Sequence, residues 1–100
     1  MGDKIEKLEE ISKILSEKNS LNYNILKACE EFTELQEVLI KSLTKPNNDF
    51  KQKIIEEIGD CYIRLNILIK MFNEDDVKSR IEFKLTKFEN YIKENKFINI

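Results

Sequence analysis

Two short acidic stretches hold the residue types from which chemistry can be built. One reads Glu30-Glu31-Phe32-Thr33-Glu34-Leu35, the other Glu56-Glu57-Ile58-Gly59-Asp60. Each contains a pair at i and i+3, Glu31 with Glu34 and Glu57 with Asp60, which on a helix occupy neighbouring positions of one surface. At about 100° per residue, Glu31 falls at the edge of the apolar stripe of its helix and Glu34 roughly 60° beyond it. Glu57 lies closer still to its own stripe, with Asp60 on the same flank. Antiparallel packing of the two helices lets all four carboxylates line one crevice. Like charges about 5 Å apart repel by roughly 3 kcal/mol at an effective dielectric of 20. Either some of the four are protonated or a divalent cation sits among them. Oxygen donors without histidine or thiolate suit Mg²⁺, Mn²⁺ or Ca²⁺. The chain has no histidine, which excludes the Glu-x-x-His di-iron bundle. Two distant cysteines, Cys29 and Cys61, are too few for a zinc site and are expected to be buried, reduced thiols.

The acidic pair alone is a weak signal in a chain with this much glutamate. Glu6 and Glu9 share its spacing, and solvated charges paired with lysines would look the same. Placement adds weight: both pairs are mid-helix, border the core and stand on consecutive helices joined by a short loop. Gly59 adds more, because glycine inside a helix costs about 1 kcal/mol relative to alanine. It implies a need for space, for close helix packing or for access to a metal.

Four helices are expected to position these residues. The first spans about Asp3 to Glu17, with Ile5, Leu8, Ile11, Ile14 and Leu15 on one face. Ser20 caps a second, from about Leu21 to Thr44, with Ile25, Ala28, Cys29, Phe32, Leu35, Leu39 and Leu43 as its apolar face. Pro46-Asn47-Asn48 is the one clear loop. Asp49, with Gln52 completing a capping box, starts a third helix that runs to about Phe72. Its buried face is Phe50, Ile54, Ile58, Cys61, Leu65, Leu68 and Phe72. After Asp60 it turns apolar nearly all round, through Ile63, Ile67 and Met71, so a second side needs cover, which another subunit can give. Asn73 or Asp75 starts the fourth helix, with the stripe Val77, Ile81, Leu85, Phe88 and Ile92. Short connections make this an all-α antiparallel four-helix bundle in a single domain, 1–100, assembled as a homodimer or homotetramer.

Composition agrees. Charged residues make up 36% and hydrophobic ones 41% of 100 residues, with two glycines and one proline, which suits a helical domain rather than an all-β or disordered chain. A net charge of −2 gives no global basic field for nucleic acid. The charged start and the interrupted apolar run from Ile58 to Phe72 predict no signal peptide and no membrane span, hence a cytoplasmic protein.

Glu30-Glu31-x-x-Glu34-Leu35, then Glu57-x-Gly59-Asp60 with 22 residues between Glu34 and Glu57, resembles the ExxE…ExxD signature of the MazG-like nucleoside triphosphate pyrophosphohydrolases. The likeness runs from about Asn24 to Phe88. Lys84-Leu85-x-Lys87-Phe88 is similar to the basic segment on the last helix of that family, with Lys87 near the place of an arginine. Cys61 departs from the usual aliphatic residue, and the tryptophan that several relatives set against the base is absent. The resemblance implies hydrolysis of a nucleoside triphosphate to the monophosphate and pyrophosphate. Glu31, Glu34, Glu57 and Asp60 would hold Mg²⁺, with Mn²⁺ as a substitute, and one of them would orient or deprotonate a water. Lys84 and Lys87 would meet phosphates, and Arg64 would either do so or pair with Asp60. Tyr23 and Tyr62 can expose a hydroxyl, whereas helical spacing places Phe32 in the core. The alternative is a helical interaction module that keeps the fold without the activity.

Overall fold

Two side-chain caps fix the helix starts that the sequence marks most clearly. Ser20 Oγ accepts the backbone N–H of Tyr23 at 3.1 Å, and Asn73 Oδ1 accepts that of Asp76 at 3.1 Å, each satisfying a donor that the first helical turn leaves free. The computed structural model describes the backbone of residues 2–45 and 47–100 and the side chains of residues 4–45 and 47–100. Met1 and Pro46, the latter part of the expected loop, lie outside the described residues. The elements are α1 (Gly2–Glu6), α2 (Leu8–Lys18), α3 (Leu21–Thr44), α4 (Lys51–Met71), α5 (Glu74–Lys93) and a terminal 3-10 turn, Phe97–Asn99. All regular structure among the described residues is helical. No helix among them is long and apolar enough to cross a membrane.

Two boundaries differ from expectation. The single first helix is divided at Lys7, whose N–H reaches back to the carbonyl of Lys4 at 3.2 Å in a tighter turn. At the start of α4, Asp49 accepts from the N–H of Lys51 at 3.0 Å. Phe50 then holds the cap position without a side-chain bond, so the Asp49–Gln52 box is replaced by a short turn of aspartate onto its own backbone.

Helices α2, α3 and α4 form the body, with α4 packed against both others. Asn24 of α3 meets Met71 of α4, and Glu31 meets Cys61. Numbers rise on one helix as they fall on the other, so α3 and α4 are antiparallel. Asn24 is buried and joins three helices: its Nδ2 donates to the Leu15 carbonyl at 3.2 Å and contacts Met71 S at 3.1 Å. Lys70 makes a second three-helix tie, pairing with Glu9 of α2 and with Glu74 of α5. Its ammonium is held above the usual lysine range by hydrogen bonding first to Glu9 and then to Glu74.

The packed faces are not the most apolar ones. Buried positions are Ser12, Asn24, Ala28, Val38, Glu57, Cys61 and Ile67, mostly small or polar groups that let helices approach closely. The stripes expected to form the core of α3 and α4 are buried at Ala28 and Cys61, half-buried at Leu35, Phe50, Ile54 and Leu68, and exposed elsewhere. Ile25, Phe32, Leu39 and Leu43 of α3 are exposed, as are Ile58, Leu65 and Phe72 of α4. Phe32 is therefore not a core residue, and Cys29 is an exposed free thiol, while Cys61 is buried as expected. Ile67, assigned to the side awaiting a partner, is buried within the chain. The main contacts of α5 are with α4 and the terminal turn, and Ile81, Leu85 and Ile92 of its stripe stay exposed. The radius of gyration is 16.6 Å, against about 13 Å for a compact domain of this length.

Core truncation tests this packing. Ile67→Ala, at a position 1% exposed, is expected to lower unfolding stability by about 2–5 kcal/mol. Ile98→Ala, 98% exposed, should change it by less than about 0.5 kcal/mol. Urea titrations followed by circular dichroism measure both.

Candidate metal centre

The antiparallel register of α3 and α4 sets Glu31 against Cys61, and the carboxylates follow. Glu31, Glu57 and Asp60 each place an oxygen within 4.8 Å of the others. Glu57 is buried at 2% exposure, Glu31 half-buried and Asp60 exposed, so the group runs from the helix interface out to solvent. Glu34, one turn beyond Glu31, adjoins through Glu31 and Glu57. Repulsion from Glu31, and next from Glu57, holds the Glu34 carboxyl above the ordinary glutamate range. Three of the four residues singled out in the sequence thus share one cluster, and the fourth borders it.

Close helix approach at this level depends on Cys61. Its thiol donates to the backbone carbonyl of Glu31 at 3.2 Å. Burial pushes the thiol pKa up, and the negative field of Glu31, Glu57, Asp60 and Glu34 adds to the shift. A neutral thiol is thereby kept beside four acids. An aliphatic residue here would lack this hydrogen bond, a local reason for cysteine at position 61.

Among the described residues Glu57 has one counter-charge, Lys53 Nζ at 2.9 Å from Oε1, one turn earlier on α4. Bonding to Glu57 raises the Lys53 pKa. The other oxygen, Glu57 Oε2, is buried without a hydrogen-bond partner among the described residues, as is Glu31 Oε2. Buried carboxylate oxygens left unpaired cost free energy that protein donors ordinarily offset. Unpaired hard oxygen atoms on neighbouring helices, with no nitrogen or thiolate donor, fit a hard divalent cation.

Two openings reach the cluster. A groove of about 260 Å³ is lined by Glu34, Glu37, Val38, Lys41, Phe50, Lys53 and Glu57. It puts two lysines at the mouth of the acidic site. Neither was singled out from the sequence, although Lys53 stands four residues before Glu57, the spacing of a helical ion pair. A second, mostly apolar cleft of about 580 Å³ runs past Gly59 and Asp60, walled by Ile5, Leu8, Ile11, Ile58, Tyr62 and Ile63. A Cβ on Gly59 would meet nothing within 4 Å, so close helix packing is not the reason for glycine there.

Among the described residues, none of the remaining sequence candidates pairs with a carboxylate of this cluster. Lys84 and Lys87 are on α5, whose main contacts are with α4 and the terminal turn, and they lie over Phe88 and Tyr91. Arg64 is half-buried on α4 and forms no ion pair among the described residues, with Asp60 or any other acid. Tyr23 and Tyr62 are exposed. Comparison with family models, with curated proteins and with solved structures gave no match to this chain.

Two outcomes test the electrostatics. A carboxyl with a raised folded pKa binds more protons when folded, so its contribution to stability falls as pH rises from the ordinary glutamate pKa through the raised value. Metal-free Glu34→Gln is therefore expected to melt higher than wild type at pH 7, with the gap closing below about pH 4.5, where both states are protonated. Gly59→Ala should stabilise the metal-free protein by about 0.5–1 kcal/mol. Scanning calorimetry across pH measures both.

Proposed function

We propose that the protein is a Mg²⁺-dependent nucleoside triphosphate pyrophosphohydrolase, converting a (d)NTP and water into the (d)NMP and pyrophosphate. The observation that carries this reading is the pair of buried, unpartnered carboxylate oxygens on Glu31 and Glu57, joined by Asp60 within 4.8 Å. The spacing of those residues and their likeness to the MazG-like ExxE…ExxD signature supply the reaction class. Glu31, Glu57 and Asp60 would hold the ion, with Glu34 at its solvent side; Mn²⁺ would serve as a substitute. Bound there, the ion would neutralise phosphate charge, polarise the α-phosphate and acidify a coordinated water.

The chain's own groups divide the remaining work. Glu34 faces the groove and is nominated to orient the attacking water or accept its proton. Lys53 and Lys41 at the groove mouth give a polyphosphate opposite charges to approach. Lys84, Lys87 and Arg64 are the further cations assigned to phosphate. The apolar cleft past Asp60 offers the base a wall of Ile58, Tyr62 and Ile63, in a chain without tryptophan. The cellular role we assign is control or cleaning of the nucleotide pool in the cytoplasm.

A second reading has its own support. The exposed apolar residues of α3 and α4 would also suit a non-catalytic helical interaction module. Metal titration separates the two. A built site gains about 2.7 kcal/mol at an Mg²⁺ or Mn²⁺ concentration a hundredfold above its Kd, whereas an interaction surface shows no metal-dependent rise in melting temperature.

Activity is tested by Mg²⁺-dependent pyrophosphate release over a panel of NTPs and dNTPs. Glu34→Gln and Asp60→Asn are each expected to lower kcat at least about a hundredfold, within the range of lost general-base or charge-stabilising groups, with helicity retained. Unchanged turnover in both variants would remove the site.

A further inference from the structure

Two lysines of α4 form ion pairs of opposite character. The Lys70 side chain is 16% exposed and held by two acids, Glu9 and Glu74. The Lys53 side chain is 62% exposed and has one ion-pair partner among the described residues, Glu57 Oε1 at 2.9 Å. That partner is buried between two helices. A cation on a long solvated stem is thus set on an anion that cannot follow it. Exposed for most of its length, the lysine gains little from the pair and leaves it easily.

The same side chain lines the groove of about 260 Å³ that reaches Glu57. Its wall carries Glu34, Glu37 and Glu57 against Lys41 and Lys53, a net charge of −1 when all are ionised. Such a wall repels a polyanion. A divalent cation on Glu57 reverses the sign. It also crowds Lys53, since an ammonium and a divalent ion on one carboxylate repel each other. Lys41 is unsuited to such an exchange, because its acid, Glu37, is 4.0 Å away and exposed.

We infer that Lys53 is a two-position residue, which pairs with Glu57 until a divalent cation binds there and then turns into the groove to pair with the triphosphate chain. This role rests on the metal site and the phosphate chemistry proposed above, and it gives them an order. Lys53 competes with the cation for the charge of Glu57. Metal and polyphosphate then bind cooperatively, because one lysine is released by the first and taken up by the second.

The test compares the whole chain with Lys53→Met. Mn²⁺ alone, followed by its electron paramagnetic resonance signal, should bind the variant roughly tenfold more tightly than wild type, one competing charge being gone. In saturating Mg²⁺, α,β-methylene-ATP should bind the variant at least about tenfold more weakly, having lost one charged contact. A lysine that only binds phosphate moves the second value alone, and an ion pair that only supports the fold leaves neither changed in this way. In wild type, the ¹⁵N signal of the Lys53 ammonium bonded to Glu57 should disappear at the midpoint of Mg²⁺ binding, which decides the matter if the variant fails to fold. Persistence of that signal at saturation overturns the inference. So does unchanged or weaker Mn²⁺ binding by Lys53→Met, or unchanged affinity for the analogue. Absence of Mn²⁺ binding to both proteins removes the metal site itself, and this role of Lys53 with it.

Discussion

Glu57 places a carboxylate almost out of water between two helices, and much of the surrounding structure responds to it. Among the described residues its counter-charge is Lys53, which reaches Oε1 from an exposed position. Its Oε2 has no hydrogen-bond partner among the described residues. Removing a charge from water costs several kcal/mol unless attraction and hydrogen bonding offset it. A single lysine on one oxygen offsets part of that cost. The neighbouring Glu31 raises the negative field further, and the Cys61 thiol spends its proton on the Glu31 backbone carbonyl. A bound cation would complete the arrangement, and the proposed chemistry on phosphate rests on it.

The same close approach explains the rest of the α3–α4 contact. Asn24, Ala28 and Cys61 are small or compact groups at buried positions, and they let the backbones come near enough for the Cys61–Glu31 bond. Larger side chains there would part the helices and separate the acids. Bulky apolar residues such as Phe32, Leu39, Leu65 and Phe72 correspondingly stay exposed. On α5, Ile81, Leu85 and Ile92 are likewise about half exposed.

Lysine placement shows a second division of labour. Lys53 and Lys41 stand at the groove that reaches Glu34 and Glu57, while Lys70 ties α2, α4 and α5 together through Glu9 and Glu74. In this lysine-rich chain, which cations serve a site and which serve the scaffold is set by register along α4. Lys53 lies one turn before the buried acid, and Lys70 lies at the far end beside the caps of α5.

Much of this was legible in the sequence, because it depends on local chemistry. Helices α3, α4 and α5 follow from apolar periodicity, and Ser20 and Asn73 cap where their side-chain oxygens can reach the next turn. The clustering of Glu31, Glu57 and Asp60 follows from i, i+3 spacing on adjacent antiparallel helices. Other features were decided by tertiary structure. Periodicity identifies the most apolar face of a helix but not the neighbour that face meets. It therefore assigns Phe32, Leu39, Leu65 and Phe72 to the core along with Ala28 and Cys61, whereas the chain buries Ala28 and Cys61 together with Ser12, Asn24 and Glu57 and leaves the four larger residues exposed. The space beside Gly59, the exposure of Cys29 and the role of Lys53 likewise depend on which residues of another helix arrive opposite. That is a long-range choice, made by the total packing energy of helices far apart in the sequence, and no local pattern carries it.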